Sequence, residues 1–101
     1  MDDLKEVHVC VVRHLVPEET VMAYADEHIA YLERYHAQGV FLASGRMLVE
    51  AEGGVILAHG VSRAEVERIS AEDPFVLRDL SRYEISTFRV RRASDALRAL
   101  L

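Results

Sequence analysis

Segments of regular hydrophobic pattern follow one another along this chain, and turn-forming residues between them limit where each can begin and end. The first, residues 7–15, is rich in β-branched and apolar residues and is followed by Pro17, which is typical of a strand. Good helix formers then run from Pro17 to about Gln38, where Gly39 can supply a left-handed C-terminal cap. The sequence therefore predicts a strand followed by a long helix.

The middle of the chain has the pattern of a β-hairpin. Residues 40–49 form a second apolar segment, interrupted by the small pair Ser44 and Gly45, where we expect a bulge or a close approach of two backbones. Residues 52–54, with two glycines, are typical of a turn, and residues 55–59 return as a short apolar strand. We expect these two strands to pair antiparallel.

A second helix is predicted after the hairpin. Ser62 and Glu65 have the spacing of a capping box, which favours a helix from there to about Ala71. The helix must stop before Pro74, because proline disfavours the helical conformation in the residue that precedes it. Residues 75–80 are then expected to form a short connector with one helical turn.

The last strand and the order of the elements indicate the fold class. Residues 82–91 alternate in the way expected of a strand, and a short amphipathic helical tail begins at Ser94. The order βαββαβ predicts a ferredoxin-like α+β fold, with a four-stranded antiparallel sheet covered on one face by two helices. Since no linker, repeat or low-complexity stretch divides the chain, residues 1–101 are expected to form a single domain with its core at about 7–90.

The first strand predicts that the chain associates with itself. Neither of its two faces is polar enough to be left in water, because the side chains alternate between two largely apolar sets. One set is Val7, Val9 and Val11, and the other is His8, Cys10 and Val12. We therefore expect a homodimer that joins or stacks sheets; the alternative is that His8, Arg13 and His14 make an adequate wetted surface.

The composition excludes several classes of partner. With 17 acidic and 12 basic residues the formal charge is −5, so nucleic-acid binding is not expected. Cys10 is the single cysteine and cannot form an internal disulfide, and the first residues lack the pattern of a signal peptide. No apolar run reaches the roughly 20 residues of a membrane span. We expect a cytoplasmic protein without membrane contact.

The first predicted helix carries two different stripes. On a wheel of about 100° per residue, five apolar residues share one sector and form the expected core stripe: Val21, Met22, Ala25, Ile29 and Leu32. Beside it, one edge carries aromatic side chains: Tyr24, His28, Tyr31 and Tyr35. We expect this edge to line a pocket, although tyrosines beside a core stripe can instead extend the core.

His28 and Asp73 are the candidate reactive pair. The ordinary pKa of histidine lies near 6.5, so its imidazole can exchange a proton at neutral pH, and a carboxylate on one ring nitrogen makes the other more basic. Asp73 precedes Pro74, which restricts its backbone to extended conformations, although Asp before Pro is also a common turn. His28 and His36 are eight residues apart, too far along a helix to bind one metal ion; neither a metal site nor a cofactor is expected.

The ordered set of these residues resembles the YCII-related (YciI-like) family over roughly residues 7–90. The similarity is carried by His28, Tyr31, Leu32, Gly39, Phe41, Leu42, Ser44, Gly45, Gly53, Gly54, Glu72, Asp73, Pro74, Phe75, Tyr83, Glu84, Ile85 and Phe88. The resemblance implies a dimeric α+β barrel with a His and Asp pair, here His28 and Asp73, in a pocket near the dimer interface. At least one similar group is linked to the removal of chloride from chlorinated aromatic intermediates. The chain departs from many relatives at Arg46, where they have proline.

We therefore hypothesise a small-molecule enzyme without a cofactor, acting as a lyase, isomerase or hydrolase. His28 would be the general base and Asp73 would orient it. Six further side chains are expected to bind substrate: Tyr24, Tyr31, Ser44, Arg46, Phe75 and Tyr83. The alternatives are a module that binds a small ligand without chemistry and a domain that only dimerises.

Overall fold

A computed structural model describes residues 5–49 and 52–101 of the chain. Its strands are β1 (Lys5–His14), β2 (Phe41–Arg46), β3 (Gly54–His59) and β4 (Ser81–Val90). Its helices are α1 (Glu18–Met22), α2 (Ala25–Ala37), α3 (Arg63–Ser70), α4 (Pro74–Leu77) and α5 (Asp95–Leu100). The first residues, which are expected to lack a signal peptide, include residues 1–4, and these lie outside the described residues.

The four strands form one antiparallel sheet in the order β2-β3-β1-β4. The long central strand β1 pairs with both neighbours, so that Val9 lies opposite Leu57 on one side and Ser86 on the other. This arrangement confirms the predicted ferredoxin-like α+β fold. It places the ends of β1, β2 and β4 beside the helices that carry the candidate residues.

The long helix expected from Pro17 to Gln38 is interrupted. It divides at Ala23 and Tyr24 into α1 and α2. Along a continuous helix Val21 and Tyr31 would point about 80° apart, yet each belongs to a different apolar cluster in the folded chain. The break lets both side chains be buried, and the prediction of one continuous helix was wrong.

The main core lies between the sheet and α2 and α3, and a smaller cluster lies beside it. The buried residues of the main core are Cys10, Val12, Tyr31, Tyr35, Phe41, Ile56, Ala58, Val66 and Ile69. The smaller cluster contains Val21, Phe75 and Leu80, with Val16 and Tyr24 packed against it. The two clusters leave a space between α2 and the ends of β1 and β2.

The predicted core stripe of the first helix is only partly right, because Val21 is buried and Leu32 packs against the main core, but Met22 and Ile29 line the cavity. Tyr31 is only 2% exposed and Tyr35 is buried, whereas Ile29 is 48% exposed and Met22 is also exposed. The tyrosine side faces the main core because its phenol rings pack on Phe41 and the Tyr31 hydroxyl donates to the carbonyl of Ile69. The possibility that the tyrosines extend the core is therefore the one observed for Tyr31 and Tyr35.

The sheet face turned away from the helices is partly apolar, because an apolar group shares it with the polar side chains of Arg13, Arg82, Glu84 and Ser86. Register places these side chains on it: Val7, Val9 and Val11 of β1, Val55 and Leu57 of β3, and Phe88 of β4. Phe88 is 52% exposed. The alternative of a wetted surface fails for His8, which is fully buried on the helix side, with its ring nitrogens bonded to the Thr87 hydroxyl and the Val61 carbonyl.

Two turn regions place the backbone near the site. The register of β2 shifts between Phe41 and Ala43, so the irregularity precedes Ser44 and Gly45. A close backbone approach does occur there, because a Cβ on Gly54 would lie 2.8 Å from the carbonyl oxygen of Gly45. Gly54 therefore lets the two strands meet beside the space left by the clusters. None of the helices in residues 5–49 and 52–101 is long and apolar enough to cross a lipid bilayer.

Candidate functional site

A cavity of about 230 Å³ lies between α2, the ends of β1 and β2, and α4. Its walls are mainly apolar and include side chains from the stripe that had been predicted as core. The lining residues are Val12, His14, Met22, Ala25, His28, Ile29, Leu32, Ser44, Gly45, Arg46, Gly53, Gly54, Val55, Ile56 and Phe75. An apolar cavity with a few converging polar groups is typical of a small-molecule site.

His28 contributes the imidazole at the inner end of this cavity. Its Nδ1 lies 2.9 Å from Oδ1 of Asp73, and its ring stacks on Phe75 with centroids 4.0 Å apart and planes 8° apart. The His28 side chain is 16% exposed, while that of Asp73 is completely buried. The ring is thus held on one edge by the carboxylate and on one face by Phe75, and His28 lines the cavity.

Asp73 is positioned by the start of α4. Its backbone is extended, with φ −60° and ψ 125°, and its side chain caps the helix by accepting from the Phe75 backbone N–H at 2.9 Å. Pro74 occupies the first helical position, where its missing N–H is harmless, and restricts Asp73 to this conformation. The cap and the contact with Nδ1 of His28 use the same oxygen, so local backbone geometry aims the carboxylate at His28.

Tyr83 and Tyr31 complete the surroundings of Asp73 on the side away from the cavity. The Tyr83 hydroxyl donates to Oδ2 of Asp73 at 2.6 Å and lies 3.3 Å from the Tyr31 oxygen. Burial raises the pKa of Tyr83 well above its ordinary value, and the charge of Asp73 raises it further. Burial likewise raises the pKa of Tyr31. Both phenols therefore stay protonated at neutral pH. Neither Tyr31 nor Tyr83 is among the residues that line the cavity.

Tyr24 lies apart from the cavity. It is the residue before α2 and packs against the Val21, Phe75 and Leu80 cluster. The guanidinium of Arg78 covers its ring at 4.2 Å from the centroid, a cation–π contact. Tyr24 does not line the cavity, so its predicted place on an aromatic edge that lines a pocket with His28 is not observed.

Ser44, Arg46 and Phe75 do line the cavity. The Ser44 hydroxyl lies 2.9 Å from Nε2 of His36, and Arg46 forms an ion pair with Glu18 at 3.0 Å. That pair joins the end of β2 to α1 across the rim. The structure therefore brings three of the six expected substrate-binding residues to the cavity and leaves the three tyrosines outside it; their roles toward substrate stay predictions.

His14 is a cavity residue that the sequence analysis considered only as part of a wetted surface. It ends β1, its Nδ1 lies 3.0 Å from the Ser81 hydroxyl, and its ring meets that of Phe75 edge-on with centroids 6.2 Å apart. Burial lowers the pKa of His14; Glu18 opposes this, while Arg46 and His28 add to it. An available signal was its position at the end of β1, because strand alternation places residue 14 on the same face as Cys10 and Val12.

Metal-binding geometry is absent from the part of the chain that the structure describes. No three histidine, cysteine, aspartate or glutamate side chains in residues 5–49 and 52–101 are arranged to hold an ion. Cys10 is buried, and this burial raises the pKa of its thiol to about 11, so it is a packing residue at neutral pH.

Comparisons with known proteins agree with this fold. A family model described as the YCII-related domain matches residues 6–89, and a search of curated proteins found no significant match. Among solved structures, the chain is similar to a 5-chloro-2-hydroxyhydroquinone dehydrochlorinase from Burkholderia phenoliruptrix AC1100, in complex with 2,5-dihydroxybenzoquinone. The identity is 18%, 87% of this chain and 95% of that chain are covered, and the TM-score is 0.66.

A second similar structure is a dimeric ferredoxin-like protein from an uncultured marine organism. Its identity to this chain is 15%, with 90% of this chain and 99% of that chain covered and a TM-score of 0.51. At these low identities the two structures establish only the fold. The family model, by contrast, matches the sequence itself over most of the chain. The chain belongs to the YCII-related domain family.

Proposed function

We propose that this chain is a small-molecule enzyme that needs no cofactor, with His28 as the general base and Asp73 as the residue that orients it. The observation that carries the proposal is the 2.9 Å contact between Nδ1 of His28 and the fully buried Asp73 carboxylate. An ionised carboxylate only accepts hydrogen bonds, so Nδ1 holds the proton and Nε2 is left to accept one from a bound compound. General base catalysis of this kind contributes about 10²- to 10⁴-fold in rate.

The cavity favours a small, planar and mostly apolar compound. Its walls include Ile29, Leu32 and the ring of Phe75, and its volume of about 230 Å³ is below the roughly 300–1,000 Å³ of pockets for drug-sized ligands. The dehydrochlorinase with a similar fold holds 2,5-dihydroxybenzoquinone, a single ring. A hydroxylated ring compound is therefore the first substrate class to test, with proton abstraction leading to elimination, isomerisation or hydrolysis.

The first experiment measures binding of 2,5-dihydroxybenzoquinone by calorimetry and release of chloride from 5-chloro-2-hydroxyhydroquinone. We expect His28→Ala and Asp73→Asn to lower any turnover by about 10²- to 10⁴-fold. His59→Ala is the control, because His59 lies on β3 and does not line the cavity. Turnover that is unchanged in His28→Ala would contradict the proposal, and tight binding without any turnover would favour the ligand-binding alternative.

We also propose that the working unit is a homodimer. The apolar group on the outward sheet face includes Phe88, which is half exposed, and the cavity rim includes the exposed side chains of Met22 and Ile29. A second copy covering the sheet face would bury this apolar area, which isolated small domains rarely leave in water. The similar protein from the marine organism is described as dimeric.

Light scattering coupled to gel filtration tests the dimer. We expect a mass twice that of one chain for the wild type and a shift to the single-chain mass for Phe88→Glu. Leu77→Glu is the control, since Leu77 is more exposed than Phe88 but lies on α4. A wild-type protein that has the single-chain mass at all concentrations would contradict the dimer.

A further inference from the structure

The cavity holds a second histidine that the proposed mechanism does not use. His14 and His28 come from β1 and α2, and both rings contact the ring of Phe75, His28 face-to-face and His14 edge-on. Both line the same cavity. Both imidazoles can therefore hydrogen-bond to one bound compound. Whether each donates or accepts depends on which ring nitrogen carries the hydrogen.

The surroundings of His28 leave it an acceptor. Asp73 already accepts from the Phe75 backbone N–H and from the Tyr83 hydroxyl, as an ionised carboxylate does. Its third partner, Nδ1 of His28, must also be a donor. The hydrogen of the neutral ring is then on Nδ1, and Nε2 offers a lone pair.

The surroundings of His14 give it the opposite form. Ser81 is 3% exposed, and within the described residues the hydrogen-bond partner of its hydroxyl is Nδ1 of His14 at 3.0 Å. A buried hydroxyl that does not donate its hydrogen costs stability, so Ser81 donates and Nδ1 accepts. The hydrogen of the neutral His14 ring is then on Nε2.

The charges facing His14 are compatible with a neutral ring at neutral pH. Burial lowers its pKa; of the groups that face it, Glu18 acts to raise the pKa, and Arg46 and His28 act to lower it. Glu18 is itself paired with Arg46 at 3.0 Å. An uncharged imidazole can donate a hydrogen bond to an oxygen that gains negative charge.

We propose that His14 and His28 form a donor and acceptor pair that selects a compound carrying an acidic hydroxyl conjugated to a second oxygen or similar acceptor. This inference rests on the proposed base role of His28. The hydroxyl proton moves to Nε2 of His28, and the electron pair of the O–H bond stays on the compound and is delocalised onto the acceptor oxygen. The Nε2–H of His14 binds that oxygen and stabilises its negative charge.

The first test reads the two tautomers directly in the unliganded protein. Long-range ¹H–¹⁵N correlation spectra are recorded at about pH 8, above the ordinary histidine pKa of about 6.5, and are assigned with His14→Gln and His28→Gln. We expect hydrogen on Nε2 of His14 and on Nδ1 of His28. Hydrogen on Nδ1 of His14 overturns the inference and leaves the proposed function intact, whereas hydrogen on Nε2 of His28 overturns the proposed function.

The second test uses 4-hydroxybenzaldehyde, whose phenolate absorbs at longer wavelength than its phenol. We expect it to bind the wild type as the phenolate. His14→Phe should weaken binding by about 10- to 100-fold, the size of one hydrogen bond to a charged group, whereas His14→Gln, whose amide N–H can take the place of Nε2–H, should keep most of it. 4-(Trifluoromethyl)phenol, acidic but without a carbonyl, should bind the wild type and His14→Phe equally.

The outcomes of the second test separate the two ideas. Equal affinity of 4-hydroxybenzaldehyde for the wild type and His14→Phe, with the phenolate still formed, overturns the role of His14 alone. Binding of the neutral phenol by the wild type overturns the base role of His28, and absence of binding at millimolar concentration overturns the compound class.

Discussion

The two sides of α2 differ in a way that apolarity alone does not explain. The side with Tyr31 and Tyr35 is buried in the main core, while the aliphatic side with Ile29 is half open and lines the cavity. The more polar side is inside because its hydroxyls have partners there, such as the Ile69 carbonyl for Tyr31, so burial leaves no polar group unpaired. The aliphatic side is left available for a ligand.

The largest effect is expected when one side chain on each side of α2 is truncated. Tyr31→Ala removes a buried ring and should lower the free energy of unfolding by about 3–5 kcal/mol. Ile29→Ala should lower it by at most about 1 kcal/mol, because its side chain is already half exposed, and should weaken ligand binding instead. Urea unfolding measures both, and equal losses would contradict the difference between the sides.

A smaller loss of stability is expected from a change at Asp73, which bonds His28 of α2 and Tyr83 of β4. Asp73→Asn keeps the size of the side chain but offers an amide N–H₂ in place of one acceptor oxygen, so a donor among Phe75 N–H, Tyr83 and His28 loses its partner. We expect a loss of about 1–3 kcal/mol in unfolding free energy. Asp26→Asn is the control on an exposed aspartate and should change stability by less than about 0.5 kcal/mol; a similar loss in both would argue against the buried network.

Removal of a single hydroxyl sharpens the comparison further. Tyr31→Phe leaves the core packed but removes the donor to the Ile69 carbonyl, and we expect a loss of about 0.5–1.5 kcal/mol. Tyr24→Phe is the control, because Tyr24 lies on the other cluster. A Tyr31→Phe protein as stable as the wild type would show that ring burial alone holds the tyrosine side inside.

The smallest expected effect is a pH dependence of the unfolding free energy that comes from His14, a residue of the cavity. The pKa of His14 is lowered from 6.5 by folding, so in the range just below 6.5 the unfolded chain binds more protons than the folded one. Stability from this group is therefore present above about 6.5 and is lost as the pH falls through the folded pKa. The slope of unfolding free energy against pH should be smaller in His14→Gln than in the wild type, and identical slopes would contradict the shift.

The sequence alone determined the order of the strands and helices, the hairpin and the place of Asp73. These depend on neighbours within a few residues: Pro74 forces Asp73 into an extended conformation, and Ser62 caps α3 by accepting from the Glu65 N–H. The pattern of residues 6–89 also carries the family membership. The close backbone approach expected at Ser44 and Gly45 is found between Gly45 and Gly54.

Only the tertiary structure decided which side of α2 is buried, and which side chains meet at the cavity. Tyr31 finds its acceptor 38 residues away, and Tyr83 reaches the N-cap residue Asp73 from β4. His14 enters the cavity because the sheet places the end of β1 beside Phe75. Helical periodicity specifies which residues share a side, but the partners that satisfy or expose that side come from distant parts of the chain.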